Sequence, residues 1–142
     1  MDETVIWQRA EGALVFAAAG ILFFFLGDGF VWWVALAVFF APDINFAAYA
    51  FGSRIGAIAY NIVHVYAFGA VPLALGIATD SMIIAQLGAL WLAHSGFDRM
   101  LGYGLKSRHG FKFTHLGVIG PASGFRGAST SERVEPLKRK GR

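Results

Sequence analysis

Six residues with carboxylate, imidazole or amide side chains lie inside, or at the edge of, long apolar stretches of the sequence. They are Glu11, Asp43, Asn61, His64, His94 and Asp98. Carboxylates and imidazoles ligate divalent metals and transfer protons in catalysis. In a lipid-buried stretch an ionisable group is costly unless it is paired, hydrated or bound to a metal, so these residues indicate a functional site.

The spacing of these residues favours a common site. His94 and Asp98 are four residues apart, and Asn61 and His64 are three apart, so on a helix each pair shares one face. The His94–Asp98 spacing resembles the i, i+4 ligand pair of helical metal sites. A further imidazole, His115, follows the last apolar stretch and is predicted to fold back over the same end.

Four apolar stretches must position these side chains: residues 5–26, 30–51, 55–79 and 82–105. Each is about 20 residues or longer, the length that a helix needs to cross ~30 Å of hydrocarbon. The sequence therefore predicts an all-α, polytopic membrane protein, a bundle of four transmembrane helices within residues 1–120. The first stretch lacks a small-residue cleavage site, so it is expected to be retained as a helix.

Composition agrees with a membrane bundle. Of the 142 residues, 56% are hydrophobic and 15% are charged. The absence of cysteine excludes disulfides and thiolate ligands, so a metal here must take oxygen and imidazole ligands. The net charge of +3 reflects loop charges and a basic tail, and nucleic acid is not an expected partner.

Lysine and arginine predict the orientation, because short loops rich in them stay in the cytoplasm. The turns near 27–29 and 80–81 carry neither residue, whereas Arg54, Arg99 and Lys106 flank the other helix ends. Both termini are thus predicted to be cytoplasmic. Residues 106–120 should refold at the cytoplasmic mouth, and residues 121–142, rich in Gly, Ser and charge, should form a disordered cytoplasmic tail.

Depth along the helices gives a further argument. At about 1.5 Å of rise per residue, all six polar residues fall in the cytoplasmic half at overlapping depths. We expect His64, His94 and Asp98 to ligate Zn²⁺ or Fe²⁺, with His115 or Asp43 completing the coordination. Glu11 is a candidate general base, and Asn61 would orient a ligand or donate to an oxyanion. Asp43, Glu11 and Asn61 are accordingly the candidate catalytic residues.

Such a site predicts a metal-dependent hydrolase that acts on a lipid-like or membrane-embedded substrate, because a bound metal makes water nucleophilic near neutral pH. Two other functions use the same residues. The first is a proton, cation or small-molecule carrier, which would require a homo-oligomer because four short helices leave little room for alternating access. The second is a structural or lipid-binding subunit in which the polar residues fix helix register.

Each residue also has a structural interpretation. Glu11 and Arg9 can reach lipid headgroups, and Asp43 after Pro42 can cap or break a helix. His94 and Asp98 can form a hydrogen bond or an ion pair with Arg99 or Arg54. The small-residue spacings Gly52–Gly56 and Gly69–Gly76 favour close helix packing.

A long stretch of the chain carries a family resemblance. Residues 94–106, His-Ser-Gly-Phe-Asp-Arg-Met-Leu-Gly-Tyr-Gly-Leu-Lys, and residues 110–117, Gly-Phe-Lys-Phe-Thr-His-Leu-Gly, resemble the C-terminal signature of the domain of unknown function (DUF) 4260 family of small bacterial integral membrane proteins. Pro42-Asp43 and Tyr60-Asn61 with His64 extend the resemblance upstream. It implies a four-helix protein of the bacterial cytoplasmic membrane, and it supplies no activity.

Overall fold

The computed structural model describes residues 3–27 and 29–119, and these are mostly helical. The helices are α1 (Glu3–Phe25), α2 (Trp32–Phe40), a 3-10 helix (Ala41–Phe51), α3 (Ser53–His64), α4 (Tyr66–Ala78) and α5 (Met82–Leu101). Two short strands follow, β1 (Phe113–Thr114) and β2 (Gly117–Val118). The tail predicted at residues 121–142 lies outside the described residues.

Three helical segments are long and apolar enough to cross a membrane: Glu3–Phe25, Trp32–Phe51 and Ser53–Ala78. They correspond to the first three predicted stretches. The fourth predicted stretch, residues 82–105, corresponds to helix α5, which is 20 residues long. Helix α5 is not among the three segments that could cross a membrane, because its sequence is more polar, with Gln86 and Arg99 in addition to His94 and Asp98. The helical fold is thus confirmed, and a fourth crossing stays a prediction.

Helix α5 lies at the centre of the described helices, packed between α1 and α4, and 11 of its residues are buried. Small residues allow this packing. A Cβ atom added to Gly96 would lie 2.6 Å from the backbone nitrogen of Phe16 on α1. On the other side, Cβ atoms added to Gly69 and Gly76 would lie 2.3 Å from Leu92 N and 2.2 Å from Ala85 N. The close packing predicted for Gly69 and Gly76 is therefore confirmed.

Two of the predicted helices are interrupted. Helix α2 becomes a 3-10 helix at Ala41, next to Pro42, which has no N–H to donate to the helical ladder. The break predicted at Pro42–Asp43 is thus present. Between α3 and α4, Val65 adopts an extended conformation (φ −75°, ψ 141°), an interruption that the sequence does not predict because no proline or glycine lies next to it.

Helix α5 ends at Leu101, four residues before the predicted boundary. Gly102 adopts a left-handed conformation (φ 95°), which costs glycine little. Its N–H donates to Arg99 O at 3.0 Å, and Tyr103 N–H donates to Asp98 O at 2.8 Å. These two bonds form a Schellman motif, so the chain turns back sharply at Gly102.

The segment 102–119 is anchored to the ends of the helices. Strands β1 and β2 pair antiparallel, with Phe113 opposite Val118, and an isolated bridge joins Lys106 to Thr114. Two hydrogen bonds connect Lys106 to Asn61 on α3. The segment therefore has a fixed position beside the polar residues of α3 and α5.

Candidate metal centre

Four of the predicted site residues meet in one cluster, which we call the Asp–His cluster: Asp43, His64, His94 and Asp98. One ligand atom from each lies within 4.8 Å of the other three. Asp43 comes from the 3-10 helix, His64 ends α3, and the other two are on α5. His64 and His94 are each 1% exposed, whereas the Asp43 side chain is 34% exposed.

The separations within the Asp–His cluster match metal coordination. His94 Nε2 lies 3.2 Å from His64 Nε2, and Asp43 Oδ1 lies 3.5 Å from His94 Nε2 and 3.6 Å from His64 Nε2. Asp98 Oδ2 lies 3.6 Å from His64 Nε2. Ligands placed tetrahedrally at zinc bond lengths of 2.0–2.2 Å are separated by about 3.3–3.6 Å. Without a metal, the same contacts would be ion pairs between aspartate and protonated imidazole.

Local structure fixes the orientation of His64. Its Nδ1 lies 2.8 Å from the carbonyl oxygen of Tyr60, which can only accept a hydrogen bond, so Nδ1–H is the donor. The neutral ring then carries its lone pair on Nε2, facing the Asp–His cluster. The Tyr60 ring stacks on the imidazole at a centroid distance of 3.6 Å, which holds the ring plane in place.

The environment of His94 is aromatic. Its ring meets Phe39 and Phe40 edge to face, at centroid distances of 5.3 and 6.4 Å. Its Nε2 faces the Asp–His cluster, and its buried Nδ1 has no hydrogen-bond partner among the described residues. Packing, rather than hydrogen bonding, therefore orients this imidazole.

Tyr60 is a site residue to which the sequence analysis gave no role. Its hydroxyl donates to Asp98 Oδ2 at 2.6 Å, a short bond to a carboxylate. The residue is fully buried, and its ring also stacks on Phe46. The available signal was its position four residues before His64, which on a helix places both side chains on one face.

Three predicted site residues lie outside the Asp–His cluster. Both polar atoms of the Asn61 amide bind the main chain of Lys106, accepting from its N–H at 2.7 Å and donating to its carbonyl at 2.9 Å. An oxyanion or ligand role for Asn61 would require these bonds to break. Glu11 is exposed on α1. The catalytic roles assigned to both residues stay predictions.

His115 is also occupied elsewhere. Leu105 N–H donates to its Nδ1 at 2.8 Å, so the neutral ring carries its proton on Nε2, which donates to Gln8 Oε1 at 2.9 Å. Burial and the nearby Arg99 guanidinium lower the pKa of His115 below 6.5. Both ring nitrogens are engaged, so the structure makes His115 a contact between segment 102–119 and α1. Its metal role stays a prediction.

The ion pairs considered for Asp98 are not formed among the described residues. The Arg99 guanidinium instead donates to the carbonyl oxygens of Tyr103, at 3.1 Å, and His64, at 3.5 Å. Arg54 is exposed. Arg99 thus places a cation at the carboxyl ends of α3 and α5, where helix dipoles favour positive charge.

A cavity of about 420 Å³ borders the Asp–His cluster. Asp43, His94 and Asp98 line it together with Tyr60 and Lys106, and its other walls are aromatic or aliphatic. This volume lies within the usual range for small-molecule sites, which are mostly apolar with a few polar groups. Three of the four candidate ligands, Asp43, His94 and Asp98, therefore adjoin a space that can hold a ligand.

Comparison with known proteins yields one match. The model of the family described as "Domain of unknown function (DUF4260)" matches residues 5–119, which is most of the chain. No curated protein and no solved structure matches the chain. The chemistry of this protein is therefore inferred from the residues of its site.

Proposed function

The chain belongs to the DUF4260 family, and from the geometry of its site we propose that it is an integral membrane protein with a divalent metal held by the Asp–His cluster, hydrolysing a lipid-like or membrane-embedded substrate. The observation that supports this most is the convergence of Asp43, His64, His94 and Asp98 within 4.8 Å of one another, with four of the six pairs 3.2–3.6 Å apart. Three separate helical elements supply these side chains, so their convergence is not a consequence of local spacing.

Membrane insertion is supported by the surface as well as by helix length. Phe25, Phe24 and Trp32 are 85%, 81% and 78% exposed, and many other large apolar side chains of the helices are exposed. A chain of this size in water rarely exposes so much contiguous apolar surface, whereas a bilayer covers it at no cost. We place the protein in the bacterial cytoplasmic membrane, with both termini and the Asp–His cluster on the cytoplasmic side.

In the proposed reaction, the most exposed member of the Asp–His cluster has a different role from the three more buried members. His64, His94 and Asp98 would hold the metal, and a metal there would supply a water with a lowered pKa. Asp43, the most exposed member, takes the proton from this water. The water oxygen then forms a bond to the substrate's carbonyl carbon, the bond from that carbon to the alcohol oxygen breaks, and Asp43 returns the proton to the leaving alkoxide. Water is the only co-reactant.

A cation or proton carrier is a second candidate, and the helix interruptions favour it. Asp43 lies two residues after the change at Ala41, and His64 directly precedes the extended Val65. Broken helices at membrane depth supply ion sites in secondary transporters. In this function the Asp–His cluster binds the transported ion and no bond is broken.

Metal analysis of the purified protein tests both candidates. We expect about one zinc or iron per chain, lost on His94→Ala or Asp98→Asn. His109→Ala is the matched control because His109 bonds only to Ser107 in an exposed turn, and His115→Ala should also keep the metal. Metal with hydrolysis of an ester lipid supports the hydrolase, and metal with ion uptake into vesicles but no hydrolysis supports the carrier. A wild-type protein that binds no metal contradicts the metal centre.

A further inference from the structure

Lys106 places a cation in the wall of the cavity. The residue is 5% exposed, and its Nζ lies 4.1 Å from the ring centroid of Phe111 and 5.0 Å from that of Tyr60. Aromatic faces at these distances stabilise an ammonium group. Among residues 3–27 and 29–119, no carboxylate forms an ion pair with Nζ, and the hydrogen bonds of Lys106 involve its main chain rather than Nζ. Its three N–H donors are therefore available to a ligand.

The main chain of Lys106, which carries this ammonium group, has a fixed position. Asn61 binds both the N–H and the carbonyl of Lys106, and the bridge to Thr114 adds a contact on the other side. A cation that is already positioned loses less entropy on binding than one on a mobile loop. Asn61, which the sequence placed among the catalytic residues, is thus a positioning residue for Lys106.

Charge around the cavity favours one anionic group. Asp43 and Asp98 contribute −2, Lys106 contributes +1 and a divalent metal contributes +2, so with neutral imidazoles the loaded site carries +1. Burial lowers the pKa of Lys106, and the nearby carboxylates of Asp98 and Asp43 oppose that effect. A bound anion would further favour the charged form of Lys106.

We propose that Lys106 binds the phosphate of a membrane amphiphile, so that the substrate class is a phosphate-bearing lipid; this identification rests on the proposed metal centre. A phosphate has several acceptor oxygens, which can take the N–H donors of the ammonium. The lipid chains leave past Phe40 and Leu101, which line the cavity and are each 47% exposed on the apolar surface. Phosphate is the anionic group that the headgroups of membrane lipids most commonly carry.

Binding of defined lipids, measured by native mass spectrometry on zinc-loaded protein in detergent, tests this assignment without any turnover. The probes are phosphatidic acid, diacylglycerol with the same chains, and inorganic phosphate. A hydrogen bond to a charged group contributes about 1.5–3 kcal/mol, so we expect phosphatidic acid to bind about 10- to 100-fold more tightly than diacylglycerol. Lys106→Gln should abolish that preference, and Lys106→Arg should keep most of it.

Lys112→Gln is the matched control, because Lys112 is exposed and does not line the cavity, and it should retain the wild-type preference. Competition by inorganic phosphate at similar concentration identifies free phosphate, rather than the lipid, as the ligand and overturns the proposal. A preference that survives Lys106→Gln also overturns it, as does equal binding of both lipids. Zinc content is measured on every sample, so loss of the metal centre is distinguished from loss of the phosphate subsite.

Discussion

Among the described residues, one side chain outside the Asp–His cluster binds Asp98, the hydroxyl of Tyr60 at 2.6 Å. Tyr60→Phe removes this bond and keeps the ring that stacks on His64. Because partners that orient a ligand typically contribute 10- to 100-fold to metal affinity, we expect zinc binding to weaken by about that factor. Competition with a chromophoric chelator measures the change.

Tyr103→Phe provides the comparison for Tyr60→Phe. Its ring also faces Lys106 and lines the cavity, and its hydroxyl has no hydrogen-bond partner among the described residues. Zinc affinity should stay within twofold of wild type. Equal weakening in both variants would contradict the orienting role of Tyr60.

Residue type and helical depth were sufficient to predict the four members of the Asp–His cluster. Ionisable side chains in apolar stretches avoid lipid by facing the interior of the bundle, where they pair with one another. His115, Asn61 and Glu11 are also polar and were predicted at the same end of the helices, but their side chains do not point towards the cluster. Their side chains bind Gln8 and Lys106, or point to the surface. Hydrogen bonds between segments that are distant in the sequence decide where these side chains point. The local pattern of a single sequence does not show which distant residues form such bonds.

At the scale of elements, small residues set how closely α1 approaches α5. Gly96→Ala adds a Cβ 2.6 Å from the backbone of Phe16, so the helices must separate. We expect a loss of about 1–3 kcal/mol in the free energy of unfolding, and weaker metal binding because His94 and Asp98 flank Gly96. Thermal unfolding in detergent and zinc titration measure these effects.

Gly20→Ala on α1 is the matched substitution, since no atom lies within 4 Å of the added Cβ. It should leave zinc binding unchanged and should not lower the free energy of unfolding, because alanine favours a helix over glycine by about 0.5–1 kcal/mol. A similar loss in the two variants would contradict the role of the close contact between α1 and α5, because Gly20→Ala makes no such contact.

The contact of segment 102–119 with α1 should depend on pH through His115. Folding lowers the pKa of this imidazole because of burial and the Arg99 guanidinium, while its partner Gln8 is neutral. The stabilisation by neutral His115 is therefore present above pH 6.5 and is lost as the pH falls through the lowered folded value. Hydrogen exchange of residues 103–119, corrected for intrinsic rates, should show faster opening of the segment in acid.

His115→Ala should remove this pH dependence, whereas His109→Ala should retain it because His109 lies in an exposed turn. Persistence of the acid effect without His115 would assign the opening to another group.

The interruptions of the helices show which element boundaries a sequence encodes. Pro42 and Gly102 were recognisable, because proline lacks an N–H and glycine tolerates a left-handed backbone. Val65 was not, since valine is common in apolar helices. At that position Arg99 donates to the carbonyl of His64, so a distant guanidinium meets a backbone oxygen that the broken helix leaves without its usual partner.

At the scale of the whole molecule, the position of the Asp–His cluster depends on the orientation of the chain in the bilayer. The chain contains no cysteine, so single cysteines can be introduced without background labelling. Thr79 and Arg108 are exposed at opposite ends of α5, in the turn after α4 and in segment 102–119. With a cytoplasmic cluster, Thr79→Cys should react with a membrane-impermeant maleimide in intact bacteria.

Arg108→Cys should react only after the membrane is permeabilised, because segment 102–119 and its arginine and lysine residues are expected to stay in the cytoplasm. Labelling of both variants in permeabilised cells verifies that each thiol is reachable. The reverse pattern in intact cells would place the cavity and Lys106 on the outer side, and labelling of both would show that α5 does not cross the bilayer. The measurement thus decides the side of the membrane from which a phosphate-bearing lipid reaches the metal centre.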